Sequence, residues 1–198
     1  MITIANPGLG NFASIANMYK FLEIDVEIVS DPSKLSRVTH LILPGIGAFD
    51  NGMKLLSESG WKSAILSLDP DIKILGICLG MQLLTNGSQE GLLPGLGLID
   101  GVCQRFPKDS LSVPHIGWNE VTSQNDSDLI KASEKNRFYF SHSYFVELEN
   151  ALLGTGNTTY GTEFTSSFKK ENVYGVQFHP EKSHQFGMRL LRRFAAIE

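Results

Sequence analysis

Three side chains in this sequence have the types needed for nucleophilic acyl transfer: Cys78, His179 and Glu181. A thiolate attacks a carbonyl carbon, an imidazole takes up the thiol proton, and a carboxylate holds the imidazole in one orientation. Taken singly, each residue also has a structural interpretation: a small buried thiol, a histidine at a sheet edge and a solvated carboxylate. The strands and helices that carry these residues decide whether the three side chains lie close together.

Cys78 lies between an apolar, β-branched run at 73–77 and a segment at 79–84 with apolar residues at helical spacing. This pattern predicts a strand, a sharp turn that carries the cysteine, and a helix. Gly76 and Gly80 stand where side chains would collide in such a turn. Because the start of a helix favours a thiolate, we expect a nucleophile at the carboxyl end of the sheet.

A second predicted strand, 173–178, leads into His179, Pro180 and Glu181. Residues two apart on an extended chain point to the same side, with Cβ atoms about 6–7 Å apart. Glu181 can therefore hold one imidazole nitrogen while the other faces away. Pro180 suits the end of a strand because it cannot donate a hydrogen bond to the ladder. We expect His179 to accept the thiol proton and to deliver it to a leaving amine.

The segment Pro44-Gly45-Ile46-Gly47 follows a third predicted strand, 39–43. Ligands of open α/β sheets bind outside the carboxyl ends of the strands. Glycines at that edge allow the backbone to approach a substrate and to turn an N–H toward a developing oxyanion. Taken alone, an ordinary turn is the simpler interpretation of this segment.

Strands and helices alternate through the first half of the chain. This alternation predicts βαβ units, a mostly parallel sheet and helices on both faces. The later strand-like segments have no helices between them, which predicts antiparallel strands added to the parallel core of an α/β fold. The length of 198 residues suits a single domain, 1–198. The predicted strands of the core are 1–6, 24–29, 39–43, 73–78 and 173–178, and the predicted helices are 12–22, 49–67 and 183–196.

The composition argues against several classes of function. A net charge of −4 without a basic run does not favour a nucleic-acid or anionic-membrane surface. No apolar stretch approaches the roughly 18–20 residues of a membrane span, and the first residues lack the features of a signal peptide. Cys78 and Cys103 do not make a disulfide framework. We expect a cytoplasmic protein with reduced thiols, in which Cys103 has no role.

A glycine-rich turn, Gly8-Leu9-Gly10, follows the first strand and invites comparison with the dinucleotide-binding fingerprint. The third glycine of that fingerprint is missing, because position 13 is Ala. The acidic residue expected about twenty positions further on is only loosely available, as Asp25, Glu27 or Asp31. We therefore favour a tight strand-to-helix connection over a nucleotide site.

Three blocks of this sequence together resemble the triad (class I) glutamine amidotransferases. They are Pro44-Gly45-Ile46-Gly47, Gly76-Ile77-Cys78-Leu79-Gly80-Met81-Gln82 and Val176-Gln177-Phe178-His179-Pro180-Glu181. Two further blocks, 114–120 and 138–144, are similar to the glutaminase subunits of histidine biosynthesis. The resemblance covers essentially the whole chain.

This resemblance implies a role for each matched position. Cys78 would form a γ-glutamyl thioester and release ammonia, with His179 as general base and acid and Glu181 orienting it. The backbone N–H of Leu79 and one from the Gly45-Ile46-Gly47 strand would form the oxyanion hole. No metal or organic cofactor is implied. The residues expected to hold the amino-acid end of L-glutamine are Gly47, Gln82, Ser143 and Tyr144.

The resemblance also implies a partner, a cyclase of the (β/α)₈-barrel type in a heterodimer. Ammonia released into neutral water is mostly protonated, so it should reach its acceptor through a closed path. Asn11, Trp118, Tyr139 and Lys182 match positions near the docking face. The oxyanion strand can sit in an unproductive orientation until the partner docks, and this would couple the two activities.

Three other functions stay open. Departures from the family pattern at 6–11 and 183–187 lie near the docking face, and they allow a relative that supplies ammonia to a surface-sugar amidotransferase. A peptidase or chaperone of the related cysteine-elbow proteins is disfavoured by Glu181 and Gln82. A regulatory module without activity is disfavoured by the complete set of Cys78, His179 and Glu181.

Overall fold

The computed structural model describes residues 1–35, 38–107, 111–124 and 127–198. The strands are β1 (Ile2–Ala5), β2 (Val26–Val29), β3 (His40–Gly45), β4 (Lys73–Cys78), β5 (Gly87–Ser88), β6 (Gly101–Arg105), β7 (His115–Glu120), β8 (Thr122–Ser123), β9 (Arg137–His142), β10 (Tyr144–Leu148), β11 (Gly154–Tyr160), β12 (Thr162–Lys170) and β13 (Val173–Val176). The helices are α1 (Phe12–Phe21), α2 (Phe49–Glu58), α3 (Trp61–Leu66), α4 (Leu79–Leu83) and α5 (His184–Ala195). Within these ranges no helix has the length and apolar character required to cross a bilayer.

The central sheet has a parallel half and an antiparallel half. Strands β2, β1, β3, β4 and β13 are neighbours in that order and run parallel. Strands β12, β10 and β6 continue the sheet with antiparallel pairing, and β11 pairs with β12. Strands β7 and β9 form a separate antiparallel ribbon. The predicted α/β fold, with a mostly parallel core and added antiparallel strands, is confirmed.

Helices cover both faces of the parallel half, as the alternation of side chains along β3 shows. Leu41 and Leu43 pack among residues of α2, α3 and α4, whereas Ile42 packs among residues of α1 and α5. All three side chains are fully buried. Burial of each contributes about 1.5–3 kcal/mol. The carboxyl ends of β3, β4 and β13 are therefore held in a rigid frame.

The region 49–67, predicted as one helix, forms two. Helix α2 ends at Glu58 and α3 begins at Trp61. Gly60 between them has a φ of +80°, a left-handed conformation that favours glycine and commonly ends a helix. The periodicity of the apolar residues continues across this break, so the prediction of a single helix was wrong.

The turn after β1 packs against the end of β3. Gly10 has a φ of +87°, and a Cβ added there would lie 3.0 Å from the backbone nitrogen of Gly45 and 3.1 Å from the backbone of Pro44. The side chain of Asn11 then caps α1. This close approach explains the glycine as part of a tight strand-to-helix connection.

Candidate active site

Cys78 stands on a strained turn between β4 and α4. Its φ of +53° and ψ of −112° are rare for a residue with a side chain. A Cβ added at Gly76 would lie 2.7 Å from the carbonyl oxygen of Gly80, and one added at Gly80 would lie 1.8 Å from the carbonyl oxygen of Leu43. The expectation that side chains would collide at the two flanking glycines is therefore confirmed.

His179 and Glu181 come together with Cys78 at this edge of the sheet. The His179 Nδ1 and the Glu181 Oε1 are 2.8 Å apart, and both side chains are almost fully buried. Since a carboxylate only accepts, Nδ1 carries the proton of a neutral imidazole. Cys78 and His179 line the same cavity, and the thiol is one of the groups that raise the pKa of His179. The structure thus places the imidazole between a thiol and a carboxylate, an arrangement suited to nucleophilic acyl transfer.

The charge on the His179 ring reflects two opposing effects. Burial disfavours the imidazolium, but the hydrogen bonds and charges of Cys78 and Glu181 favour it more strongly. The net result raises the pKa of His179 to about 10. The ring can therefore hold a proton at neutral pH and give it to a leaving amine.

Glu181 reaches the imidazole by a route that differs from the expected one. Residues Pro180–Lys182 form a 3₁₀ turn, so the chain is not extended there and the side-chain rule for strands does not apply. Pro180 occupies the first turn of this 3₁₀ helix and fixes its φ. The contact with His179 is present, but the geometric reason given for it was wrong.

Ser183 fixes the backbone that carries His179. Its buried hydroxyl donates to the carbonyl of His179 (2.6 Å) and accepts from the N–H of Tyr139 (3.0 Å). The N–H of His179 donates in turn to the carbonyl of Tyr139 (2.8 Å). Ser183 is the N-cap residue of α5, yet its side chain makes no capping hydrogen bond. The sequence signal of a serine before a helix indicates a cap, so the role of Ser183 was missed.

A cavity of about 420 Å³ opens beside Cys78. Gly45 does not line the cavity. It is a buried residue of β3 that pairs in register with Cys78 of β4. Glu181 does not line it either and lies against His179. The volume is in the range of small-molecule sites. The predicted site residues on the wall are Ile46, Gly47, Cys78, Leu79, Gln82, Ser143, Tyr144, His179 and Lys182.

Glu90 also lines the cavity and was missed in the sequence, as were Pro114, Ser141 and His142. The Glu90 Oε2 accepts the backbone N–H of Phe49 at the start of α2 (2.8 Å). No local pattern in the sequence marks Glu90, because its partner lies far away along the chain. A fixed carboxylate on the wall can bind a ligand's ammonium group.

The amide of Gln82 has both of its hydrogens committed inside the protein. Its Nε2 donates to the carbonyl of Tyr144 (3.0 Å) and to the Oε1 of Gln177 (3.0 Å). Only the Gln82 Oε1 is left for a ligand. Gln82 can therefore accept a hydrogen bond from a ligand but cannot donate one.

Three of the four residues predicted for docking form one partly exposed cluster with His184, which we call the aromatic patch (Trp118, Tyr139, Lys182 and His184). The rings of Trp118 and His184 are stacked, with centroids 5.6 Å apart and planes at 5°. The Lys182 ammonium lies 5.6 Å from the centre of the Tyr139 ring. Asn11 stands at the N-terminus of α1, which packs against the turn 180–182.

Other reactive groups of the described chain do not rival this site. Burial raises the pKa of the Cys103 thiol to about 12, so that thiol stays protonated. Among the residues that the structure describes, no group of three or more His, Cys, Asp and Glu side chains is arranged to hold a metal ion. The thiol chemistry is therefore centred on Cys78.

An α/β sheet with a cysteine elbow and a His–Glu pair at one edge is the arrangement found in enzymes that use a cysteine nucleophile. The family model for glutamine amidotransferase class-I matches residues 6–197. The chain therefore belongs to the class-I glutamine amidotransferase family.

Curated relatives match the full length of the chain. The protein named imidazole glycerol phosphate synthase subunit HisH from Bdellovibrio bacteriovorus is 46% identical over 204 aligned positions, covering 100% of both chains. The protein of the same name from Leptospira borgpetersenii is 44% identical, with the same coverage. A crystal structure of a glutamine amidotransferase from Thermotoga maritima has a TM-score of 0.61 at 19% identity, covering 99% of this chain and 83% of that one. That structure supports the fold alone.

Proposed function

We propose that this chain is the glutaminase subunit of an imidazole glycerol phosphate synthase. It hydrolyses L-glutamine to glutamate and ammonia, and the ammonia passes to a (β/α)₈-barrel cyclase subunit that makes imidazole glycerol phosphate and aminoimidazole carboxamide ribotide. Full-length identities of 46% and 44% to proteins of that name support the pathway. The chemistry is carried by one observation: the Nδ1 of His179 is held by Glu181, and the His179 ring lines the same cavity as the thiol of Cys78.

Acylation begins when the sulfur of Cys78 attacks the side-chain carbonyl carbon of glutamine. The Nε2 of His179 holds the proton taken from the thiol, because Nδ1 is engaged by Glu181. As the carbon–nitrogen bond breaks, this proton goes to the nitrogen and ammonia leaves. The negative charge on the carbonyl oxygen is stabilised by the backbone N–H of Leu79 and by one from Gly45-Ile46-Gly47.

Deacylation uses the same groups in reverse. A water molecule attacks the thioester and gives a proton to the Nε2 of His179. The carbon–sulfur bond then breaks, the proton returns to the sulfur of Cys78, and glutamate is released. Glu181 keeps the ring in one orientation through both steps, so the imidazole can act first as an acid and then as a base.

The cavity has groups suited to the amino-acid end of glutamine. Glu90 has one oxygen anchored by the Phe49 N–H, and its other oxygen can pair with the α-ammonium group. The Oε1 of Gln82 accepts a second hydrogen bond from the same ammonium. Gly47, Ser143 and Tyr144 also line the cavity. The Glu90 carboxylate and the Gln82 Oε1 are both acceptors, as the hydrogens of an ammonium group require.

The aromatic patch is the proposed docking surface for the barrel subunit. The backbone of Tyr139, in this patch, bonds directly to the backbone of His179. Near the cavity mouth the Ile46 side chain is 53% exposed, and Gly47 has a φ of +104°. A partner that binds the productive orientation of this segment more tightly would increase its population. Docking would thereby switch on hydrolysis where ammonia can be used.

Glu181→Gln should lower kcat by about 10²–10⁴-fold and move the alkaline limit of the pH–rate profile to lower pH. The carboxylate helps to raise the pKa of His179, so its neutral replacement lowers that pKa from about 10. Above the new value the ring loses the proton that ammonia needs on leaving. The measurement is kcat against pH for the complex. Glu163→Gln, at an exposed position of β12, is the charge-matched control. An unchanged alkaline limit in Glu181→Gln would contradict the assigned role.

The pathway is tested by complementation of a histidine-requiring strain that lacks its own glutaminase subunit. We expect this chain to restore growth without histidine, and the Cys78→Ser variant to fail. Rescue by the variant would contradict the proposal. Failure of the wild type, together with glutamine hydrolysis beside a different barrel partner, would indicate the surface-sugar alternative. Faster turnover of peptides than of glutamine would indicate a peptidase.

A further inference from the structure

Gln177 is a fully buried residue between β13 and the catalytic histidine. Its backbone N–H donates to the carbonyl of Ser166 on β12 (2.9 Å). Its side-chain Nε2 lies 3.8 Å from the sulfur of Cys78, a distance compatible with a hydrogen bond to the large sulfur atom. Buried amide groups are nearly always hydrogen-bonded, and the sulfur of Cys78 is a partner within reach of this N–H.

The neighbours of Gln177 fix which end of its amide faces the sulfur. The carbonyl of Tyr144 can only accept, so the Nε2 of Gln82 must be the atom that faces it (3.0 Å). The same Nε2 donates to the Oε1 of Gln177 (3.0 Å). A flipped Gln177 would set its NH₂ group against that of Gln82 and its oxygen against the sulfur of Cys78. The amide of Gln177 is thus locked with its N–H directed at Cys78.

Two buried histidines continue this chain of hydrogen bonds away from the site. The Nδ1 of His142 donates to the Tyr144 carbonyl (2.8 Å), so its Nε2 accepts from the Nδ1 of His115 (3.0 Å). The Nε2 of His115 accepts from the amide of Asn119 (3.3 Å). Burial lowers the pKa of His142 to about 3 and that of His115 to about 4, so both rings stay neutral near pH 7. Each hydrogen bond in this series therefore keeps the same donor and the same acceptor.

We propose that Gln177 is a further catalytic residue, whose amide N–H donates to the sulfur of Cys78 and stabilises its negative charge. The sulfur carries this charge as it attacks glutamine and again when it leaves the thioester. No bond to Gln177 forms or breaks, and the thiol proton still moves to His179. The assignment rests on the thioester chemistry proposed above. Hydrogen bonds to charged groups are stronger than those between neutral groups, which is why this donor matters for the thiolate.

The test is the rate at which iodoacetamide alkylates Cys78, measured against pH and read from the mass of the Cys78 peptide. Gln177→Met keeps the length and bulk of the side chain but removes the donor. We expect the midpoint of the alkylation profile to rise by about one pH unit or more, and kcat to fall about tenfold. Alkylation requires neither glutamine nor the partner. Failure of the glutaminase function would therefore leave this readout intact and distinguishable.

A second variant and a control separate donation from packing. Gln177→Glu keeps an oxygen for Gln82 but places a carboxyl oxygen at the sulfur, so its midpoint should rise further; it also serves if the methionine variant does not fold. Ser166→Ala alters a buried hydroxyl that bonds to Thr158 and Gly156, next to Gln177, and should lower stability without moving the midpoint. The other ionisable groups on the cavity wall are unaltered in all three variants: Glu90, His142, Tyr144, His179 and Lys182. Wild-type midpoints in both Gln177 variants, or an equal rise in Ser166→Ala, would overturn the proposal.

Discussion

Cys78→Ser is expected to abolish glutamine hydrolysis, by at least about 10⁴-fold, while the fold survives. Serine has nearly the size of cysteine, so the strained turn between β4 and α4 is kept. A hydroxyl, however, is a much weaker acid than a thiol and does not supply an anionic nucleophile. The surroundings of His179 favour its protonated form, which makes the ring a poor base for an un-ionised hydroxyl. The measurement is glutamate release with and without the partner subunit.

Two further measurements show whether the loss of hydrolysis comes from the missing sulfur or from damage to the fold. The thermal unfolding midpoint and the affinity for the partner should stay close to the wild type, since serine has nearly the size of cysteine and the aromatic patch is unaltered. Cys103→Ser is the matched control, because this second thiol is fully buried and bonds to Thr85 away from the cavity. It should retain turnover. Substantial hydrolysis by Cys78→Ser would show that the sulfur is not the nucleophile.

The elbow could be predicted from the sequence because its constraints are local. A buried strand, a reactive residue and a helix follow one another within a dozen positions, and Gly76 and Gly80 mark where backbones approach closely. The structure gives the reason in atoms: a Cβ at either glycine would enter the space of a backbone atom. The parallel core was predictable for a similar reason, since each strand alternates between two apolar faces. Local patterns of this kind need no knowledge of distant contacts.

The rest of the site depends on contacts between distant segments, which no local pattern reports. Glu90 acquires its place by accepting an N–H from Phe49, and Gln177 acquires its direction from Gln82. Ser183 was not singled out in the sequence as a site residue, and its hydroxyl joins β9 to the backbone of His179. The contact of Glu181 with His179 was predicted, but from an extended backbone where the structure has a 3₁₀ turn. Residue type and order therefore indicated the triad, whereas the groups that orient it required coordinates.

The bonds of Ser183 connect the aromatic patch to the candidate active site. Tyr139 belongs to the aromatic patch through its ring and to the active site through its backbone, which bonds to both Ser183 and His179. Lys182 joins the two regions in a second way, since it lies over the Tyr139 ring and also lines the cavity. The aromatic patch is therefore attached to a backbone that bonds directly to His179.

Gly80→Ala is the elbow substitution expected to cost the most stability, about 3 kcal/mol in the free energy of unfolding. The added Cβ would lie 1.8 Å from the carbonyl oxygen of Leu43 and 2.9 Å from its carbonyl carbon. Both are backbone atoms of a central strand, so no flexible side chain can move aside. Helix α4 must shift away from β3, and it carries Cys78 and the N–H of Leu79 with it. A displacement of about 1 Å at a reacting group costs about 10²-fold in rate, so hydrolysis should fall as well.

Gly87→Ala provides the matched control, because an added Cβ there has no heavy atom within 4 Å and the residue does not have a positive φ. Its free energy of unfolding should stay within about 0.5 kcal/mol of the wild type, with full turnover. Denaturant unfolding and glutamate release, measured on both variants, separate a general cost of alanine from the clash at the elbow. If Gly80→Ala unfolds at the wild-type denaturant concentration and retains turnover, α4 can move away from β3 at little cost in stability. The close approach of Gly80 to Leu43 would then not be what fixes the position of Cys78.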